Sequence, residues 1–207
     1  MLKLLSLLIC ASSVTFAQDS GEQIQKKPTL NTTADSLAGD ILKASKNPGG
    51  VELILGCDGL GMKTFHPNFE NPDAALADIA RTESHVTWTK KGSAYTVTIQ
   101  LAPSQSLTSV RLPALQIRAK TLSQATDSLL NEGPVRERIS AMNTSEMTEN
   151  FGFASINERE MRVIDLPPGT LREDLNVIAT AFGSAIWKLD QRECNKSRTF
   201  KISWISK

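Results

Sequence analysis

The side chains best suited to metal binding or nucleophilic chemistry are concentrated between positions 57 and 70. Cys57, Asp58, His66 and Glu70 lie in this stretch, and Cys57 with His66 could form a thiolate nucleophile and its base. However, no pair of these residues is at the tight separation typical of structural zinc ligands, and two further ligands from distant positions would be needed. Since no third group to orient His66 is evident, we predict neither a metal site nor a nucleophile there.

The familiar catalytic motifs are absent from the rest of the chain. The sequence has no GxSxG, SxxK, HExxH or CxxC motif, and "GLGMKTF" lacks the third glycine of a dinucleotide-binding loop. We therefore predict a protein that is not an enzyme, with no catalytic residues, no cofactor and no metal. The alternative is an exported hydrolase, or a small-ligand or glycan-binding protein, with its site in the 57–70 loop.

The N-terminal residues have the pattern of a signal peptide. "MLKLLSLLICASSVTFAQDS" combines Lys3 with an apolar run, and Thr15 and Ala17 are small residues suited to a cleavage site. The apolar run is too short to span a membrane, and no other run is longer. We expect cleavage near Ala17 and export to the periplasm or the medium, with no transmembrane segment in the mature chain.

The charge of the mature chain argues against nucleic acid as a partner. Loss of Lys3 leaves 22 basic and 22 acidic residues, interspersed along the chain, so no basic patch for nucleic acid is expected.

Cys57 and Cys194 are the cysteines that remain after cleavage. An even pair in an exported chain permits one disulfide, and two separate buried thiols are the alternative.

Two stretches of the chain repeat one pattern at an offset of 99 residues. The repeat joins "AALADIARTESHVTWTKK" to "LREDLNVIATAFGSAIWKLD", and a weaker third copy is "LPALQIRAKTLSQATDSLL". Repeated units of this kind indicate one supersecondary element used several times. The pairs predicted to occupy equivalent core positions are Phe65 with Ile164, Leu76 with Leu175, Ile79 with Ile178, and Trp88 with Trp187.

Helix start signals fall at the same position of each copy. They are Asn71 followed by Pro72, Thr121 followed by Gln124, and Thr170 followed by Glu173. Apolar residues one, four, five and eight positions after the cap then form a core-facing stripe. Each unit is predicted to be a strand followed by a capped helix.

The outer units continue as hairpins, whereas the middle one continues into a second helix. "VTWTKKGSAYTVTIQL" alternates about a Lys-Gly turn, and "AIWKLDQRECNKSRTFKISWI" alternates about a longer polar turn that contains Cys194. A turn extended only where the cysteine lies favours a bridge from Cys194 to Cys57, which ends the strand "VELILG". The middle unit has its further helix between Pro134 and Met142.

"VIDLPPGTLREDLNVIATAFGSAIWKLD" resembles the first half of the short N-terminal (STN) domain shared by bacterial secretins and TonB-dependent receptors. "ENPDAALADIARTESHVTWTKKGSAYTVTI" resembles the second half of that domain, down to the turn before its last strand. The two halves occur here in inverted order, about 60 residues apart. The resemblance implies a periplasmic interaction domain, and the three-unit arrangement is similar to that of small exported bacterial proteins.

These patterns predict an α+β protein in which repeated β-α-β(β) units form mixed sheets with the helices packed on one face, as in STN domains. Its expected function is that of a non-enzymatic module for protein interaction or envelope assembly. The partner would be another envelope protein or a second copy of the chain. The expected segments are a signal peptide at 1–17, a polar linker with a short helix at 18–48, and units at 49–103, 104–157 and 158–207.

Overall fold

The computed structural model describes residues 28–147 and 160–205. The predicted signal peptide, the first part of the linker and the segment 148–159 lie outside the described residues. In chain order the first elements are β1 (Leu30–Thr32), α1 (Ala34–Ser45), β2 (Gly49–Leu55), β3 (Lys63–Phe65), α2 (Pro72–Thr82), β4 (Val86–Lys91) and β5 (Ala94–Gln100). A 3₁₀ turn (Leu107–Ser109) precedes β6 (Arg111–Leu112), β7 (Leu115–Ala119), α3 (Leu122–Leu130), α4 (Gly133–Ala141), β8 (Ser145–Glu146), β9 (Arg162–Leu166), β10 (Gly169–Thr170), α5 (Leu171–Ala181), β11 (Ile186–Cys194) and β12 (Ser197–Ile205).

A mixed six-stranded sheet has the order β4-β5-β2-β11-β12-β8. Strands β5, β2 and β11 are parallel, whereas β4 and β12 are antiparallel to their neighbours β5 and β11. Outside this sheet, β1 pairs with β3, β6 with β10, and β7 with β9, all antiparallel. The predicted α+β class is confirmed, and strands from all the predicted units share one sheet.

Helices cover both faces of the sheet, so the predicted packing on one face is wrong. Val51 of β2 packs in a cluster with α1 and α2, whereas the adjacent Glu52 reaches the other face and bonds Arg172 of α5. Trp187 lies against Gly50 on that second face, in a cluster with α3 and α5. Alternate residues of a strand point to opposite sides. Because every residue of β2 is buried, this strand requires cover on both sides.

The orientation of the two outer units explains why their helices lie on opposite faces. Helix α5 begins and ends 99 residues after α2. The strands that follow them, β4 and β11, run in opposite directions in the sheet, although each lies on the same side of its hairpin partner. Superposing one unit on the other requires a rotation that reverses the strand direction and keeps this left-to-right order. Such a rotation also turns the unit over, so the two helices lie on opposite faces of the sheet.

The predicted caps begin the helices. Asn71 accepts a hydrogen bond from the Ala74 amide at 3.0 Å, and Thr121 accepts one from the Gln124 amide at 3.1 Å. Thr170 and Glu173 form a complete capping box, in which the Glu173 carboxylate accepts from the Thr170 amide at 2.8 Å. Each cap satisfies amides that the first helical turn leaves without partners.

The second hairpin has longer strands and not the longer turn that the sequence suggested. Strand β11 has nine residues against six in β4, and Cys194 is its last residue. The turn consists of Asn195 and Lys196, both in the left-handed region at φ 49° and 68°. Two consecutive positive φ values are typical of the tight turn that matches the twist of a hairpin.

The segment predicted as a linker contributes to the core. Strand β1 pairs with β3, and α1 buries Leu37, Ile41 and Leu42 completely. The short amphipathic helix expected there is α1, which packs on the same face of the sheet as α2. Its polar composition is confined to the exposed side, which is why composition alone suggested a linker.

Replacing Leu175 by alanine is expected to destabilise the fold by about 2–4 kcal/mol, because a fully buried leucine loses both transfer energy and packing. Thr180→Ala, at an exposed position of the same helix, should change stability by less than about 0.5 kcal/mol. Urea denaturation of both variants measures the difference. Equal midpoints would contradict the assignment of this helix face to the core.

Candidate functional site

The cysteines predicted to pair are joined in a disulfide, with the Cα atoms of Cys57 and Cys194 4.6 Å apart. Strands β2 and β11 are parallel neighbours, and Gly49 pairs with Ile186 in their register. Continuation of that register past Leu55 brings Cys57 opposite Cys194. The bridge thus closes the carboxyl ends of two central strands.

The 57–70 stretch is not assembled into a site for thiol or metal chemistry. The Cys57 sulfur is held in the disulfide, so it is neither a thiolate nucleophile nor a metal ligand. His66 Nδ1 lies 3.2 Å from the Thr29 hydroxyl in an exposed contact. Across residues 28–147 and 160–205, no group of three or more His, Cys, Asp and Glu side chains could hold a metal ion. The cavities described below are lined by other residues.

The predicted repeat positions are buried in both units, with one exception at the sheet edge. Trp187 is fully buried and donates from Nε1 to Asn176 Oδ1 at 2.8 Å. Trp88 is partly exposed, with its ring centroid 6.2 Å from that of Tyr95. The other buried members are Phe65, Leu76, Ile79, Ile164, Leu175 and Ile178. Because Trp187 is fully buried in the cluster formed with α3 and α5, its indole ring has a core role.

Strand β4 is an open edge of the sheet within the described residues, where β5 is its neighbour on one side. The Gln100 amide donates to the His85 carbonyl at 3.1 Å, which fixes the alternation of hydrogen bonds along the two strands. By this alternation Thr87, Thr89 and Lys91 bond to β5. The backbone groups of Trp88 and Lys90 point away from the sheet. We call this outward side the β4 edge.

A cleft next to the β4 edge separates the β4–β5 hairpin from α5. Two adjoining cavities of about 330 and 280 Å³ share Lys91, Ala94, Glu173 and Asn176, and we call them together the hairpin cleft. Lys91 Nζ lies 2.6 Å from Glu173 Oε1 across it. This hydrogen bond, with that from the Thr170 amide, lowers the pKa of Glu173.

Asp174, at the margin of the hairpin cleft, is a buried carboxylate with no bonding partner among the described residues. Its side chain is 1% exposed, and neither oxygen accepts a hydrogen bond there. Desolvation, with a further contribution from the charge of Glu173, raises the pKa of Asp174 to about 7. Asp174 lies four residues after its cap, at the stripe position that Ala75 and Ala125 occupy in the other units. Sequence reasoning missed it, although a charge at a core-facing repeat position was the available signal.

Glu52 was also missed, and it is fully buried in the middle of β2. Arg172 Nε donates to Glu52 Oε1 at 2.9 Å and Nη2 donates to Oε2 at 2.5 Å. Thr98 donates at 3.0 Å, and the Thr108 hydroxyl also donates to this carboxylate. Because both oxygens are satisfied, Glu52 ties α5 and the 3₁₀ turn to the sheet and leaves no oxygen free for a ligand. One charged residue in an otherwise apolar strand was the signal.

Comparisons of this chain with family models, with curated proteins and with solved structures find no match.

Proposed function

We propose that this protein is an exported, non-enzymatic envelope module that binds another protein, or a second copy of itself, by adding a strand along the β4 edge. The observation that carries the proposal is the pair of outward backbone positions at Trp88 and Lys90. Unpaired N–H and C=O groups on an edge strand form main-chain hydrogen bonds with an extended segment. An STN-like role in the periplasm is the function that the sequence resemblance implies.

The disulfide and the absence of a spanning helix are compatible with export. A structural disulfide is typical of an oxidising compartment. No helix among the described residues has the length and apolar character needed to cross a membrane. Cleavage near Ala17 and a periplasmic or secreted location belong to this proposal.

Side chains beside the β4 edge disfavour indiscriminate pairing. Lys90 Nζ lies 4.8 Å from the Tyr95 ring centroid and 3.4 Å from Asp73. Lys91 is largely exposed at the end of the same strand. Lysines on an edge disfavour uncontrolled aggregation. Because Lys90 and Lys91 already have carboxylate partners, Asp73 and Glu173, we assign the binding to the main-chain groups and not to these charges.

Lys90→Pro is expected to weaken binding at the β4 edge. Proline removes the outward N–H of residue 90 and leaves the hydrogen bonds between β4 and β5 in place, since proline is tolerated on edge strands. Lys90→Ala is the matched control, because it removes the same charge and ring contact and retains the N–H. We expect at least about tenfold weaker capture by the proline variant and less than about twofold by the alanine variant.

The measurement is quantitative cross-linked capture from envelope extract, together with sedimentation of the purified mature chain. Loss of a dimer on Lys90→Pro would identify a second copy as the partner, and loss of a captured band would identify a different protein. Melting curves confirm that both variants fold. Equal binding by the two variants, or no association of the wild type in either assay, would contradict strand addition.

The alternative function, an exported hydrolase or small-ligand or glycan-binding protein with a site at 57–70, has weaker support. Its best nucleophile, Cys57, is in a disulfide. The hairpin cleft lies elsewhere and is lined by other side chains.

A further inference from the structure

A third cavity, of about 410 Å³, lies at the carboxyl end of β11, away from the β4 edge. Its walls are the end of β11, the loop after β5 and the last turn of α4. Arg138, Arg192 and Arg198 line it with one acidic side chain, Glu193, and we call it the arginine cavity. In open sheets with parallel strands, ligands usually bind at this end of the strands.

One of these guanidinium groups has no carboxylate partner among the described residues. Arg192 makes a two-point contact with Asp190, with distances of 2.9 and 3.1 Å. Arg198 Nε donates to Glu193 at 2.8 Å. Arg138 donates to the neutral amide oxygen of Gln105. The cavity therefore keeps one uncompensated positive charge, on Arg138.

Two buried groups in the walls of the arginine cavity can still donate hydrogen bonds. Arg138 Nε and the Thr144 hydroxyl are buried without partners in the described part of the chain. The acceptor of Gln191 is already used, since its Oε1 accepts from the Leu107 amide at 2.9 Å. A buried donor without a partner is costly, so a ligand that brings acceptor oxygens would complete this lining.

We propose that the arginine cavity binds a small anion through Arg138, by a carboxylate or a phosphate group. A guanidinium presents planar, paired donors that match the oxygens of either group. The volume suits a small molecule and exceeds that of a single ion. This binding is independent of strand addition at the β4 edge.

The test is calorimetric titration of the mature chain with sodium phosphate and, separately, with sodium succinate. We expect saturable binding of at least one anion, and at least about tenfold weaker binding by Arg138→Gln. Arg136→Gln, an equal charge change at an exposed position of α4, should alter the affinity by less than about twofold. Phosphate binding alone would indicate a phosphate ligand, and succinate binding would indicate a carboxylate.

Arg138→Lys provides a second variant that retains the charge but loses the paired donors, and it should bind more weakly than the wild type. Amide chemical shifts should change at Gln105, Thr144 and Gln191 on titration of the wild type, which tests the location without any substitution. The proposal would be overturned by no binding at about 10 mM of either anion. It would also be overturned by equal weakening in the Arg136 and Arg138 variants, or by shifts confined to other regions.

Discussion

Replacing Asp174 by asparagine is expected to stabilise the protein at pH 8 and to change its stability little at pH 4. The carboxyl group of Asp174 is buried without a partner among the described residues, and its pKa is raised from 3.8 to about 7 by desolvation and then by the Glu173 charge. The folded protein therefore retains a proton at pH values where the unfolded chain has released it.

The sign of the effect follows from this difference in proton binding. The stability that the neutral carboxyl group allows is fully present below the unfolded pKa of 3.8, and it is lost as pH rises through the folded pKa of about 7. At about 1.4 kcal/mol for each pKa unit, the loss at pH 8 is up to about 4 kcal/mol. Asparagine cannot ionise, so the variant avoids this loss.

Urea denaturation of wild type and Asp174→Asn at several pH values between 4 and 8 measures the difference directly. Titration of carboxylates remote from Asp174 affects both proteins and cancels in the comparison. Asp40→Asn, an exposed position of α1, is the control and should follow the wild type at every pH. Parallel stability curves for wild type and the Asp174 variant would show that the carboxylate has a partner or solvent access at high pH.

The helices could be predicted from short stretches of sequence because the interactions that begin each helix are between neighbouring residues. Asn71, Thr121 and Thr170 satisfy amides within three residues of themselves, so the helix starts could be identified from short motifs. The offset of 99 residues likewise located α5 from α2, because a core-facing stripe is a property of each helix alone.

Packing on two faces was harder to predict, although β2 carried a signal for it. The stretch "GVELIL" is almost continuously apolar, which is typical of a strand covered on both sides and not of one with a solvent face. The opposite directions of β4 and β11 depend on which strand of each hairpin pairs with β2. That choice rests on tertiary contacts between residues far apart in the chain.

The candidate sites were mostly beyond sequence reasoning because burial creates them. Asp174 differs from an ordinary surface carboxylate because α5 and its neighbours bury it. Arg138 differs from an ordinary surface charge because it lines the cavity at the end of β11 with its Nε buried. The 57–70 stretch drew attention because reactive residue types are concentrated there. Composition does not show whether such side chains converge, and here the disulfide takes the key sulfur.

Loss of the Cys57–Cys194 disulfide is expected to lower the free energy of unfolding by about 3–5 kcal/mol. The bond joins residues 137 positions apart, so reduction greatly increases the freedom of the unfolded chain. In the folded state it fastens the ends of β2 and β11, whose pairing otherwise stops at Leu55 and Arg192. The loss should therefore appear as a lower urea midpoint of the whole sheet and not as fraying of one hairpin.

The measurement compares urea denaturation of the mature chain with and without reductant, with thiol titration to confirm complete reduction. The double variant Cys57→Ser with Cys194→Ser is the matched control. It should resemble the reduced wild type and should not respond to reductant, because it has no bond to break. A wild-type midpoint that stays unchanged after release of both thiols would contradict the prediction. It would show that reduction gives the unfolded chain no effective freedom, as when residual structure keeps the two ends close.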